Sequence, residues 1–177
     1  MTDNRMRSLV NSFRKKIARA QRKDLFTNTM FEGFPVQCCG IASRLLAEYL
    51  LNNEVETLWI SVEEFGTHET HAWLVVKDDR IDSPHSCFDN VPNNIIGLLG
   101  KYDGGNSERI RESTCYEEQN IKNGLIIDIT GDQFDEAPVY VGYMDDFHKR
   151  FDFVAAYEHE GLPNDEYAEL YEIIISQ

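Results

Sequence analysis

Beyond its first two dozen positions the sequence is short of cationic residues, and throughout it is short of cysteine and of long apolar runs. Each shortage excludes something. Through Asp24 there are eight Lys/Arg against two Asp/Glu, the remainder holds nine against twenty-nine, and the net charge is −14. So acidic a body repels phosphate, which argues against a nucleic-acid ligand. No apolar stretch approaches the roughly 20 residues of a membrane-spanning helix, so no integral membrane segment is expected. The opening MTDNRMRSLVNSFRKK places charges where a secretory signal needs an apolar region, and the chain reads as cytoplasmic. The cysteines are Cys38, Cys39, Cys87 and Cys115. Two are adjacent, a spacing unsuited to a disulfide framework, and in a reducing compartment they are free for chemistry. A C-x-x-C metal knuckle is missing. His68 and His71 have H-x-x-H spacing with His85 and Cys87 nearby, but residues three apart on a strand face opposite sides, so no metal is expected, and no other cofactor.

What is present suits one globular domain over residues 1–177, with 42% hydrophobic and 11% aromatic residues. Residues 4–23 predict an amphipathic helix: Met6, Leu9, Val10, Phe13 and Ile17 recur at three- and four-residue spacing, with Arg and Lys opposite. Its stripe is expected to pack on this domain rather than to anchor on a partner or membrane surface. After the Gly/Pro-punctuated stretch 31–35, a second helix starts near Cys38 or Cys39. Its apolar face of Ile41, Ala42, Leu45, Leu46, Tyr49 and Leu50 makes it the central buried helix, and Asn52-Asn53 ends it. Residues 57–62 (TLWISV), 70–76 (THAWLVV), 125–129 (LIIDI) and 137–141 (APVYV) predict strands. A short helix over 91–99, a polar helix over 107–121 and a C-terminal helix after Pro163 complete the reading. Helices first and consecutive strands afterwards point to an α+β fold.

Three stretches carry the chemistry. FPVQCCGIAS sets a cysteine at a helix start, where unpaired N–H groups and the helix dipole favour a thiolate and can stabilise an oxyanion. Gly40 lets a substrate backbone come close. THETHAWLVV sets His71 at the head of an apolar strand, on one face with Trp73 and Val75, where it can take the thiol proton; Trp73 is expected to pack. GLIIDITGDQF sets Asp128 among apolar neighbours, a costly place for a carboxylate unless the imidazole pairs with it. His68, in the loop before His71, is a candidate substrate contact. Asp145-Asp146 and Gln133–Glu136 read as solvated edges near the rim of the site, with Asp132 a secondary candidate for a polar role there.

Cys39-Gly40 at a helix start, His71-Ala72-Trp73 on a strand and Asp128-Ile129-Thr130 on a later strand together resemble the transglutaminase-like branch of the papain-like superfamily, including uncharacterised bacterial members with an FP…C-G-x-A-S entry and a D-I-T-x-D-Q-F exit. The resemblance covers about 31–141. It implies a central nucleophile helix packed on an antiparallel sheet, flanked here by N- and C-terminal helices, with Cys39 as nucleophile, His71 as base, Asp128 as orienter and Cys38 left to packing. It also implies that Gln37 could serve as an oxyanion donor, as an upstream glutamine does in papain-like enzymes, although the spacing here is shorter. The wide gap between the His and Asp strands departs from the pattern and implies an insertion of about 82–123. It leaves Asp82 as the alternative third member. The expected function is thiol-dependent hydrolysis or acyl transfer at a peptide, protein or glutamine-type amide. A catalytically inactive interaction module on the same fold, or a glutamine deamidase or transglutaminase effector, is the alternative. The partner expected is a peptide or protein substrate; oligomeric state stays open.

Overall fold

A computed structural model describes residues 3–67, 69–77 and 118–177. His68, Asp82, His85, Cys87, Cys115, the helix expected over 91–99 and most of the expected insertion lie outside the described residues.

Helix α1 (Asp3–Arg22) is followed by turns, then α2 (Cys39–Leu51), β1 (Thr57–Glu64) and β2 (Thr70–Val76). After the undescribed stretch come α3 (Glu118–Lys122), β3 (Ile126–Asp128), β4 (Tyr140–Gly142), β5 (Phe151–Glu158) and α4 (Asp165–Ile175). The strands form one antiparallel sheet in the order β4-β3-β2-β1-β5, so the architecture is α+β. Strand β2 lies at its centre, with Val62 of β1 opposite His71 and Ile127 of β3 opposite Leu74.

Two apolar clusters explain the layering. On one face α1, α2 and α4 cover the sheet: Met6, Val10, Phe13 and Ile17 of α1 are buried with Ala42, Leu45, Leu46 and Leu50 of α2, Leu74 of β2 and Ile174 of α4. The stripe of α1 thus packs on its own domain. On the other face Leu58, Ile60 and Val62 alternate out of β1 to meet Trp73, Val75, Ile126, Phe147 and Phe151. The alternation expected along β2 holds, Leu74 lying in the helical layer and Trp73 and Val75 in the opposite one. Asn164 caps α4 by accepting the Tyr167 N–H at 3.1 Å. Among the described residues no helix is long and apolar enough to cross a membrane.

Of the helix expected over 107–121, the described part is helical, at Glu118–Lys122. Two points differ from expectation. The last predicted strand is shorter and begins later, at Tyr140–Gly142 rather than 137–141. An unexpected fifth strand, Phe151–Glu158, pairs with β1.

Candidate active site

Cys39 is the first residue of α2, and Cys38 is its N-cap. The first helical hydrogen bond runs from the Ala42 N–H to the Cys38 carbonyl at 2.8 Å, so the N–H groups of Cys39, Gly40 and Ile41 precede the ladder. Ser43 Oγ donates to the Ala72 carbonyl at 3.2 Å, pinning the first turn of α2 to β2 beside His71. The two cysteines diverge here. Cys38 is buried, its Sγ lies 3.9 Å from the Met30 carbonyl, and burial, with the charge of Cys39, pushes its thiol up to about 11. Cys39 is partly exposed. Burial alone would raise its pKa too, but hydrogen bonding to His71, the imidazolium charge, the Gln133 side chain and the Gly40 N–H bring it below the ordinary thiol value. A Cβ on Gly40 would meet Trp59 at 3.7 Å, an ordinary contact.

His71, the second residue of β2, has no exposed side-chain surface. Its Nε2–H donates to Asp128 Oδ2 at 2.8 Å. Its Nδ1 faces the Gln133 amide, with Nε2 of that side chain at 3.1 Å. The rings of Phe134, Phe151, Trp73 and Phe147 surround it at centroid distances of 4.9, 5.5, 5.6 and 6.0 Å. Burial in this apolar sleeve disfavours the cation. The hydrogen bonds to Asp128 and Cys39 and their charges outweigh it, raising His71 to about 9.

Asp128 ends β3 and is also buried. The Asp-x-Thr spacing has a local reason: the Thr130 N–H and hydroxyl both donate to Oδ1, at 2.8 and 3.1 Å, leaving Oδ2 for His71. Burial would raise this carboxyl. His148, whose Nε2 lies 3.7 Å from Oδ2, the His71 hydrogen bond and charge, and the Thr130 N–H hold it well below the usual carboxylate range.

A 3-10 turn, Gly131–Phe134, follows immediately. Gly131 has to be glycine, because a Cβ there would stand 2.7 Å from the Ala137 carbonyl oxygen. Asp132 pairs with Arg14 of α1, whose guanidinium also lies 4.3 Å from the centre of the Phe34 ring. This clamp fixes the turn so that Gln133 and Phe134 face His71.

Gln133 and Phe134 therefore point inward, contrary to the expectation of a solvated edge, whereas Asp135 and Glu136 are exposed. Asp146 is exposed and pairs with Lys149 at 3.0 Å. Asp145 departs from the expectation. Its Oδ1 receives the His148 Nδ1–H at 2.6 Å and backbone N–H at 3.0 Å, and these bonds and the His148 charge outweigh burial to lower its pKa. His148 is itself buried, edge-on to Trp73 at 4.9 Å. Gln37 sits on the turn before α2 at φ +57° with an exposed side chain. Nothing in the sequence marks Arg14, Gln133, Asp145 or His148 as contacts of Cys39, His71 or Asp128; the run Asp128-Ile129-Thr130-Gly131-Asp132-Gln133-Phe134 is the available sign that the turn belongs to the site.

The site thus brings Cys39, His71 and Asp128 into one chain of contacts, with Gln133 at the cysteine end and His148 behind the aspartate. Among the described residues no group of three or more His, Cys, Asp or Glu could hold a metal ion. No protein-family model matches the chain, and neither curated proteins nor solved structures yield a significant match.

Proposed function

We propose that this protein is a cytoplasmic thiol-dependent acyl-transfer enzyme of the papain-like/transglutaminase-like kind, acting on a peptide, protein or glutamine-type amide. The observation that carries the reading is the imidazole of His71, bonded to Asp128 at 2.8 Å through Nε2 while its other nitrogen faces the cysteine end of the site. A lowered thiol beside a raised imidazole favours a thiolate–imidazolium pair at neutral pH.

In the mechanism that follows, the Cys39 thiolate attacks the carbonyl carbon, forming an S–C bond and moving the C=O π pair onto oxygen. The tetrahedral intermediate collapses as the C–N bond breaks, and His71 Nδ1–H gives its proton to the leaving amine. Asp128 keeps Nε2–H engaged and the ring oriented throughout. Water, deprotonated by the now neutral His71, then attacks the thioester carbon, and the C–S bond breaks to release the acid and regenerate the Cys39 thiolate; an amine in its place would give transamidation. Hydrolysis is favoured here because water is always at hand.

The test is alkylation of the native chain with iodoacetamide near neutral pH, read by mass spectrometry at each cysteine. Cys39 is expected to react at least about tenfold faster than Cys38, Cys87 and Cys115, and to lose that advantage in His71→Ala. Equal, slow labelling of all four thiols would favour an inactive interaction module on the same fold.

A further inference from the structure

We infer that Gln133 is a catalytic residue whose side-chain amide donates a hydrogen bond to the oxyanion formed when Cys39 attacks a carbonyl. The inference rests on the reading of Cys39 as nucleophile and adds a residue to it.

Three observations carry it. First, Gln133 Nε2 lies 3.1 Å from His71 Nδ1, the ring nitrogen opposite the one that Asp128 holds, and the Gln133 side chain is among the groups that lower the Cys39 thiol. Once the thiol proton has moved to Nδ1, that nitrogen no longer accepts, and the amide N–H is left to the anionic partner beside it. As attack proceeds, the negative charge moves from sulfur to the carbonyl oxygen one bond beyond the attacked carbon. A donor at the imidazole nitrogen that exchanges the thiol proton, carrying two N–H groups, can follow that charge with a small torsional change. Secondly, the side chain is held in place. Gly131 permits the tight 3-10 turn, Asp132 on one side of Gln133 is clamped by Arg14, and Phe134 on the other packs 4.9 Å from the His71 ring. A donor fixed before the reaction costs little reorganisation during it. Thirdly, the N–H groups of Cys39, Gly40 and Ile41 that precede the α2 ladder all belong to one helix start, so Gln133 adds a donor from a different element.

Gln37, the donor the family resemblance implies, is exposed and held in a left-handed backbone conformation; Gln133 has the contacts that Gln37 would need.

The test compares two probes of the same sulfur in the full chain. p-Nitrophenyl acetate acylates Cys39 through a tetrahedral oxyanion and releases p-nitrophenolate; iodoacetamide alkylates it by displacing iodide, with no oxyanion. In Gln133→Ala and in the similarly long Gln133→Met, acylation should fall about 10- to 100-fold. Alkylation should stay within about threefold, measured where the thiolate is fully formed. Cooperative thermal unfolding near the parent midpoint shows that both variants are folded, and having two of them keeps the comparison usable if one is not. If alkylation and acylation slow equally, or neither changes, the oxyanion role is overturned while the nucleophile reading stands. If both rates rise, Gln133 is a plug over the thiolate and the inference is again overturned. If the parent Cys39 is no more reactive than the other cysteines toward either probe, the underlying reading fails and the inference with it.

Discussion

At Cys38 and Cys39, one step along the backbone separates a thiol buried against Met30 from a thiol facing an imidazole; burial raises both, and His71 reverses the effect on the second alone. The same balance operates at Asp128, a buried carboxylate kept ionised by His148, His71 and Thr130. Asp128→Asn keeps the shape but removes the charge, and it sets an amide N–H against partners that all donate. His71 should then fall from about 9 toward the ordinary histidine value of about 6.5, and acyl transfer should drop roughly 10²- to 10⁴-fold. Stability carries a signature too. A carboxyl depressed by folding contributes stability that is fully present above its unfolded pKa and is lost as pH falls through and below about 4. Denaturant unfolding between about pH 2 and 7 should show a shallower acid decline in Asp128→Asn than in the parent, from a plateau roughly 2–4 kcal/mol lower; an unchanged decline would remove Asp128 from the pair. Cys39, His71 and Asp128 were legible in sequence because each contradicts its surroundings: a thiol opening an apolar helix, and an imidazole and a carboxylate inside apolar strands. Gln133 and His148 carry no such mark. Both sit in short polar turns, and only the tertiary packing of those turns against β2 aims them inward.

The 3-10 turn after β3 is the element on which the site depends most, since four residues deliver the Arg14 clamp, the Gln133 amide and one wall of the His71 sleeve. Gly131→Ala drives a Cβ to 2.7 Å from the Ala137 backbone oxygen, and backbone yields little. The variant should lose roughly 1–3 kcal/mol, with Cys39 alkylation slowing in parallel. Gly33→Ala, whose Cβ would meet the Val36 carbonyl at an ordinary 3.5 Å, should stay within about 0.5 kcal/mol in the same unfolding assay. Equal stabilities for the two variants would mean that the turn moves freely. The longer elements were readable by strong local signals: helical spacing of apolar residues in α1 and α2, runs of β-branched and aromatic residues in β1 and β2, and the Asn164 cap with its acidic first turn in α4. Strand β5 lacks them. Its Ala155-Ala156 pair has little strand preference, and its register against β1 shifts between Ser61 and Val62, which breaks the alternation that would have marked it.

Across the whole molecule, the split between a basic first helix and an acidic remainder is partly resolved internally. Arg14 reaches Asp132 beside the site, while Lys16 and Arg19 donate to the carbonyls of Ile175 and Gln177 at 2.8 and 2.9 Å, where the dipole of α4 is negative. Helix α1 thereby braces both the C-terminal helix and the turn behind His71, and its apolar stripe closes the core beneath α2. That framework holds a sulfur and an imidazole together between a helix tip and the central strand of a sheet. The resulting ion pair is the central claim, and the pH dependence of Cys39 alkylation by iodoacetamide tests it most directly. The parent's rise in rate should lie below the ordinary thiol value of about 8.5, while His71→Ala should be at least about tenfold slower on the acid side of that value and rise only near 8.5. A parent profile with a single rise near 8.5, unmoved by His71→Ala, would contradict the account.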